Sequence, residues 1–171
     1  MIIRSLATIA ILLIGATTLA SAQPAAKKLQ DFREWAAYTT DRDGKTCFIA
    51  AQPQKSEYSK EIRGRDPVFF MVTTIPGKNI RNEASTIIGY PFADESKVTI
   101  SIDGGSTFTL FTNQDTAWVE SQSQEPELIA AMRRGSNMVV QGTSRRGTLT
   151  TDTYSLSGVT AALEAIAKEC P

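Results

Sequence analysis

Residues 142–171 read GTSRRGTLTTDTYSLSGVTAALEAIAKECP, and the periodicity changes partway along. Residues 148–156 (TLTTDTYSL) are rich in Thr and carry Tyr154, which suits a strand. After Leu156, the residues Val159, Ala162, Leu163, Ile166 and Cys170 fall at i, i+3, i+4, i+7 and i+11, one face of a helix. Ser157 stands just ahead of this run and is the expected N-cap, because its hydroxyl can accept from a first-turn amide. Glu164, Lys168 and Glu169 lie off the stripe, on the side that faces water. Cys170 lies on it, so its thiol points toward the body. The stretch therefore predicts a β-rich body closed by a C-terminal amphipathic helix.

Upstream, residues 137–142 (NMVVQG) form the strand before the TSRRG connection at 143–147. Residues 124–134 read as a short helix with Pro126 at its first position and Leu128, Ile129 and Met132 as its apolar stripe. Arg133 and Arg134 sit at the negative end of its dipole, and Gly135 is the expected left-handed stop. Residues 97–113 are a hairpin around Asp103-Gly104-Gly105-Ser106. An odd-length loop there keeps the apolar faces together, pairing Ile102 with Phe108 and Ile100 with Leu110. Residues 117–120 and 83–89 are further short strands, and 68–75 (VFFMVTTI) is a central strand buried on both faces. Residues 32–39 and 46–51 flank a turn at Asp41-Arg42-Asp43-Gly44, which lacks the later acidic ligands of a calcium loop. Residues 52–66 are polar and predict a long exposed loop, and Trp35 and Trp118 are expected in the core. Eight or nine short strands with two helices suggest a β-sandwich.

The first 22 residues are not counted as fold. Arg4, an apolar run over about residues 6–19 and Ala20-Ser21-Ala22 match a secretory signal peptide with cleavage after Ala22. Residues 23–31 then form a flexible N-terminal arm, and 32–171 a single domain. The whole chain of 171 residues balances 18 Lys and Arg against 18 Asp and Glu, so it lacks the basic excess that a nucleic-acid or membrane-surface partner would demand. No second apolar run is long enough to span a bilayer. Export places Cys47 and Cys170 in an oxidising compartment, where an intramolecular bridge is the expectation. Two buried thiols or an intermolecular bridge are the alternatives.

The chain has no histidine, which removes Ser–His and Cys–His nucleophile pairs and most transition-metal sites. It has no G-x-S-x-G elbow and no P-loop. No catalytic residue, metal or cofactor is expected. Asp103, Asp115 and Asp152 are the carboxylates that could in principle supply a pair for acid–base hydrolysis, although Asp is ordinary at turns and on strand faces such as theirs. Arginine pairs recur at Arg63 with Arg65, Arg133 with Arg134, and Arg145 with Arg146. Arg63, Arg65, Arg145 and Arg146 are the candidate partner-binding residues, with Arg145-Arg146 foremost because it lies on a strand connection. The ordinary reading of such pairs is solvated loop charge.

Residues 130–135 (AAMRRG), 138–147 (MVVQGTSRRG) and 148–163 (TLTTDTYSLSGVTAAL) resemble the invasion-associated locus B family of bacterial envelope proteins. D-T-Y-S-L-S-G followed by a short helix is the most specific part, and Trp35, Cys47 and I-D-G-G fit the same outline. The likeness departs at Val159, where many relatives carry Phe. The resemblance implies a mainly β, immunoglobulin-like β-sandwich in a periplasmic or outer-membrane-associated protein, and supplies no catalytic residues. The expected function is non-enzymatic binding of another envelope or host protein, through loops or a sheet edge. A small carboxylate hydrolase and a structural or stress-related envelope protein are the alternatives.

Overall fold

The structure is a computed structural model that describes residues 25–41, 44–61, 64–121 and 123–171. The expected signal peptide at residues 1–22 lies outside the described residues. Eleven strands follow in chain order: β1 (Lys27–Phe32), β2 (Trp35–Thr40), β3 (Thr46–Ala51), β4 (Lys55–Tyr58), β5 (Phe69–Ile75), β6 (Ile80–Ile87), β7 (Lys97–Ile102), β8 (Ser106–Asn113), β9 (Thr116–Val119), β10 (Asn137–Thr143) and β11 (Leu149–Ser155). Helix α1 (Glu125–Arg134) precedes β10 and helix α2 (Val159–Glu169) follows β11. The strands form one antiparallel sheet in the order β1-β2-β3-β5-β6-β9-β8-β7-β10-β11-β4.

The sheet folds over on itself in a β-sandwich-like arrangement. Trp35 of β2, Phe70 of β5 and Tyr154 of β11 meet edge to face, with ring centroids 6.3 and 6.0 Å apart. The Trp35 indole donates to the Ser155 carbonyl at 2.9 Å, tying the start of β2 to the end of β11. Strand alternation supplies the interior: Cys47, Ile49, Phe70, Val72, Val98, Ile100, Leu110, Met138 and Val140 are fully buried. Helix α2 covers part of this face, burying Val159, Ala162, Leu163 and Ile166 against the half of the sheet that contains β2 and β3. Cys170 follows the same stripe, and the Cys47–Cys170 disulfide is formed with Cα atoms 6.1 Å apart. It closes a loop of 123 residues, for which the chain-entropy model gives about 4–5 kcal/mol. Helix α1 buries Leu128, Ile129 and Met132 as its spacing predicts.

Several expectations are corrected. Of the arm expected to be flexible at 23–31, residues 27–31 belong to strand β1 (Lys27–Phe32), because its amides and carbonyls pair with β2. The loop expected over 52–66 contains β4, which pairs with β11. The 97–113 hairpin has the odd loop, but Ile102 pairs with Ser106 and Ile100 with Phe108, two residues tighter than expected. Asp103 and Gly104 both hold positive φ, 49° and 70°, so the chain reverses at once and Gly105 N donates to Ile102 O. The apolar face survives, since a two-residue shift preserves it. Strand β5 is fully buried on one face only. Trp118 points outward and stacks on Phe111, with centroids 5.7 Å apart.

Both helix-end expectations also change. The cap position of α2 is Gly158, not Ser157, and its φ is 96°. A Cβ there would collide with the Phe32 carbonyl, so the backbone approach itself demands glycine. Gly135 is extended, at φ −82° and ψ 167°, rather than left-handed. Its missing side chain instead leaves room for Ile102 and Leu156.

Candidate functional site

The inward face of β11 carries a polar row. Thr150, Asp152 and Tyr154 alternate along it and all are fully buried. Asp152 accepts two hydrogen bonds from the Arg65 guanidinium, Nη1 to Oδ1 at 2.9 Å and Nη2 to Oδ2 at 2.5 Å. Ser56 donates a third to Oδ1 at 2.6 Å. Arg65 Nε donates to the Ile88 carbonyl at 2.9 Å. The guanidinium also faces two rings, 5.6 Å from the centroid of Tyr58 and 5.3 Å from that of Tyr90. Burial opposes the charge on Arg65, but its hydrogen bonds to Asp152 and the charge of that carboxylate prevail, holding its pKa above the ordinary value.

Tyr90 stands beside this pair. Its hydroxyl lies 2.7 Å from Thr150 Oγ1 and donates to Gly142 O at 3.0 Å. Burial pushes the Tyr90 phenol up to about 12. Tyr154, further along β11, is raised still more by burial, and its hydroxyl has no hydrogen-bond partner of normal geometry among the described residues.

Above Tyr90 lies an open cleft of about 280 Å³, lined by Gly64, Asp66, Gly89, Pro91, Ser144, Arg145 and Arg146 as well. Its walls are pinned to one another. Asp66 N donates to Gly89 O at 2.9 Å, and Arg145 N donates to Pro91 O at 2.9 Å. Gly89 lies at φ 79°, and a Cβ there would strike the Asp66 carbonyl. The β10–β11 connection is a tight turn, with Gly147 N donating to Ser144 O at 2.7 Å and Thr148 N to Ser144 Oγ at 3.1 Å. Arg145 and Arg146 occupy its two central positions, both exposed. Neither guanidinium has an ion-pair partner among the described residues. Asp115 joins Asp66, Tyr90, Pro91 and Arg145 around an adjoining hollow.

The candidate residues thus separate. Arg145 and Arg146 stand together on the cleft rim. Arg65 is turned inward, with only 7% of its side chain exposed, and each of its three nitrogens donates to Asp152 or Ile88, so it is not offered to a partner. Arg63 lies outside the described residues. Arg133 stands 3.9 Å from Glu164 of α2. The three carboxylates do not assemble: Asp103 and Asp115 lie beyond opposite ends of β8, and Asp152 is buried against Arg65. Asp103 instead organises the chain, accepting from Ser136 N at 2.9 Å and Asn137 N at 2.8 Å at the start of β10. Sequence reasoning missed the Arg65–Asp152 pair and the seat of Tyr90. The available signal was an Asp inside a strand whose alternation turns it toward the core, which requires a cation.

A folded-over antiparallel sheet, stapled by a disulfide from β3 to the end of a C-terminal helix, defines an all-antiparallel β domain with a helical closure. The chain belongs to the invasion associated locus B (IalB) protein family, whose model matches residues 35–167. No curated protein and no solved structure matches the chain. Among the described residues no helix is long and apolar enough to cross a membrane.

Proposed function

We propose that this protein is exported to the bacterial envelope, periplasmic or outer-membrane-associated, and works there without catalysis by binding another envelope or host protein. One observation carries the reading: Arg145 and Arg146 are held at the tip of a hydrogen-bonded turn, exposed and without ion-pair partners among the described residues, on the rim of a cleft. Guanidiniums kept free on a rigid connection suit recognition, since their forked donors match carboxylates and polar backbone groups. Family membership and the export signal expected at residues 1–22 support the location. The test is crosslinking in intact cells followed by capture of the protein and identification of what is bound. A discrete partner whose capture falls in an Arg145→Ala/Arg146→Ala variant is the expected result. Recovery of no protein partner from wild type overturns the reading.

A further inference from the structure

We infer that the cleft beneath the Arg145–Arg146 turn takes a mixed-charge peptide segment, an Asp or Glu side chain held by the two guanidiniums and a nearby Lys or Arg held by Asp66 and Asp115. This rests on the binding reading above and names the chemistry of the partner. Three features of the cleft lead to it.

The first is that charges of both signs stand at one opening without neutralising each other. Asp66 and Arg145 line the cleft together and form no ion pair. Asp115 lies with both of them around the adjoining hollow, its carboxylate accepting only a neighbouring hydroxyl, that of Thr116, at 3.1 Å. A dianionic phosphate would gain from the arginines and be repelled by the two carboxylates. A neutral sugar would leave the charges unmatched. A peptide that carries an acid and a base satisfies both walls.

The second feature is rigidity. The arginine turn is fixed by the Ser144–Gly147 and Ser144–Thr148 hydrogen bonds and tied to Pro91, and the opposite wall is tied through Asp66 N to Gly89 O. The floor, Tyr90, is held from beneath by Thr150, Gly142 and the Arg65 guanidinium. Binding therefore orders little backbone, which favours recognition of a short segment. The third feature is size and lining. About 280 Å³ admits one or two side chains, and Tyr90 and Pro91 offer apolar surface to their aliphatic stems.

The test is selection from a positional-scanning library of hexapeptides capped at both ends, using the full exported chain. Wild type is expected to enrich Asp or Glu with a Lys or Arg close by. The Arg145→Glu/Arg146→Glu variant should lose the acidic preference and weaken the best peptide by about tenfold or more, while Arg145→Lys/Arg146→Lys retains part of it. Asp66→Asn/Asp115→Asn should abolish only the basic preference. No enrichment, enrichment unchanged in the charge-reversed variant, or displacement by inorganic phosphate beyond that by chloride of equal ionic strength overturns the inference. An unchanged unfolding midpoint checks that each variant is folded, and the lysine pair serves if charge reversal disturbs the turn. If crosslinking captures a partner and no peptide is selected, this inference falls and the binding function stands. If peptides are selected and no partner is captured, the function falls.

Discussion

The two ends of β11 are closed by opposite means. Past its C-terminal end, Leu156 and Val159 lead into α2, whose apolar stripe lies on the sheet and ends in the Cys47–Cys170 bridge. Toward its N-terminal end the same inward face presents Thr150 and Asp152, which meet Tyr90, Ser56 and Arg65. One closure is apolar and covalent, and the other is a buried ion pair inside a set of hydrogen bonds. Apolar contact accepts many partners of suitable volume, whereas a buried carboxylate accepts only a cation and donors in a narrow geometry. The first kind seals one end of the sandwich. The second holds an opening in shape, because Arg65 braces the Tyr90 ring that floors the cleft.

Removing one member of the polar closure should break the contrast most severely. Arg65→Ala leaves Asp152 buried without its cation and should cost about 3–5 kcal/mol, read as a fall in the urea midpoint. Replacing both partners by apolar residues, Arg65→Met with Asp152→Leu, should recover much of that loss, because desolvation offsets much of the attraction in a buried pair. If the single and double variants are equally unstable, the ion pair is not what closes this end. Opening the covalent closure comes next: Cys47→Ala/Cys170→Ala should lower stability by about 2–4 kcal/mol, less than the chain-entropy figure because the uncrosslinked unfolded chain retains some structure, and leave the peptide preference of the cleft unchanged.

Alkaline titration separates the two ends further. The Tyr90 phenol, raised to about 12 in the folded protein, titrates near 10 when unfolded. Its contribution is therefore complete below pH 10 and is lost as the pH climbs toward 12, by roughly 2–3 kcal/mol. Tyr90→Phe should flatten that part of the decline in the unfolding free energy, and an unaltered slope would assign it to other groups. The smallest effect is expected on the rim, where Arg145→Ala/Arg146→Ala should shift stability by no more than about 0.5 kcal/mol while removing partner capture. A large loss of stability there would recast the turn as a structural element.

Legibility in the sequence follows the same division. Helix α2 and its disulfide were readable because the 3.6-residue period is local and a cysteine pair has only one intramolecular solution. Helix α1 was readable for the first of these reasons. Arg65 and Asp152 stand 87 positions apart, in a segment that reads as polar loop and in a strand rich in Thr, and nothing local joins them. Strand β4 was missed for a related cause. An edge strand of four residues, KSEY, has too few alternations to stand out from loop, and it forms because β11 offers it a partner. That the cap of α2 falls on Gly158 rather than Ser157 is not legible locally, because the constraint comes from the Phe32 carbonyl of β1, a strand placed by its pairing with β2. Arg145 and Arg146 were legible as a pair on a connection, but the carboxylates beside them, Asp66 and Asp115, come from two other connections far away in the chain.

The outermost strands, β1 and β4, bear on how the protein behaves when crowded. An open sheet leaves a row of backbone groups at each margin, to which a second chain could add itself without limit. Here one margin begins with Lys27 and Lys28 and is interrupted by an irregular register between Lys28 and Gln30. The other is only four residues long and carries the Lys55–Glu57 ion pair at 2.9 Å. Two copies approaching margin to margin would have to strip water from these charges and could match only a few backbone groups in return. The same short, polar strands that are hardest to find in the sequence thus guard the folded chain against fibrous self-association.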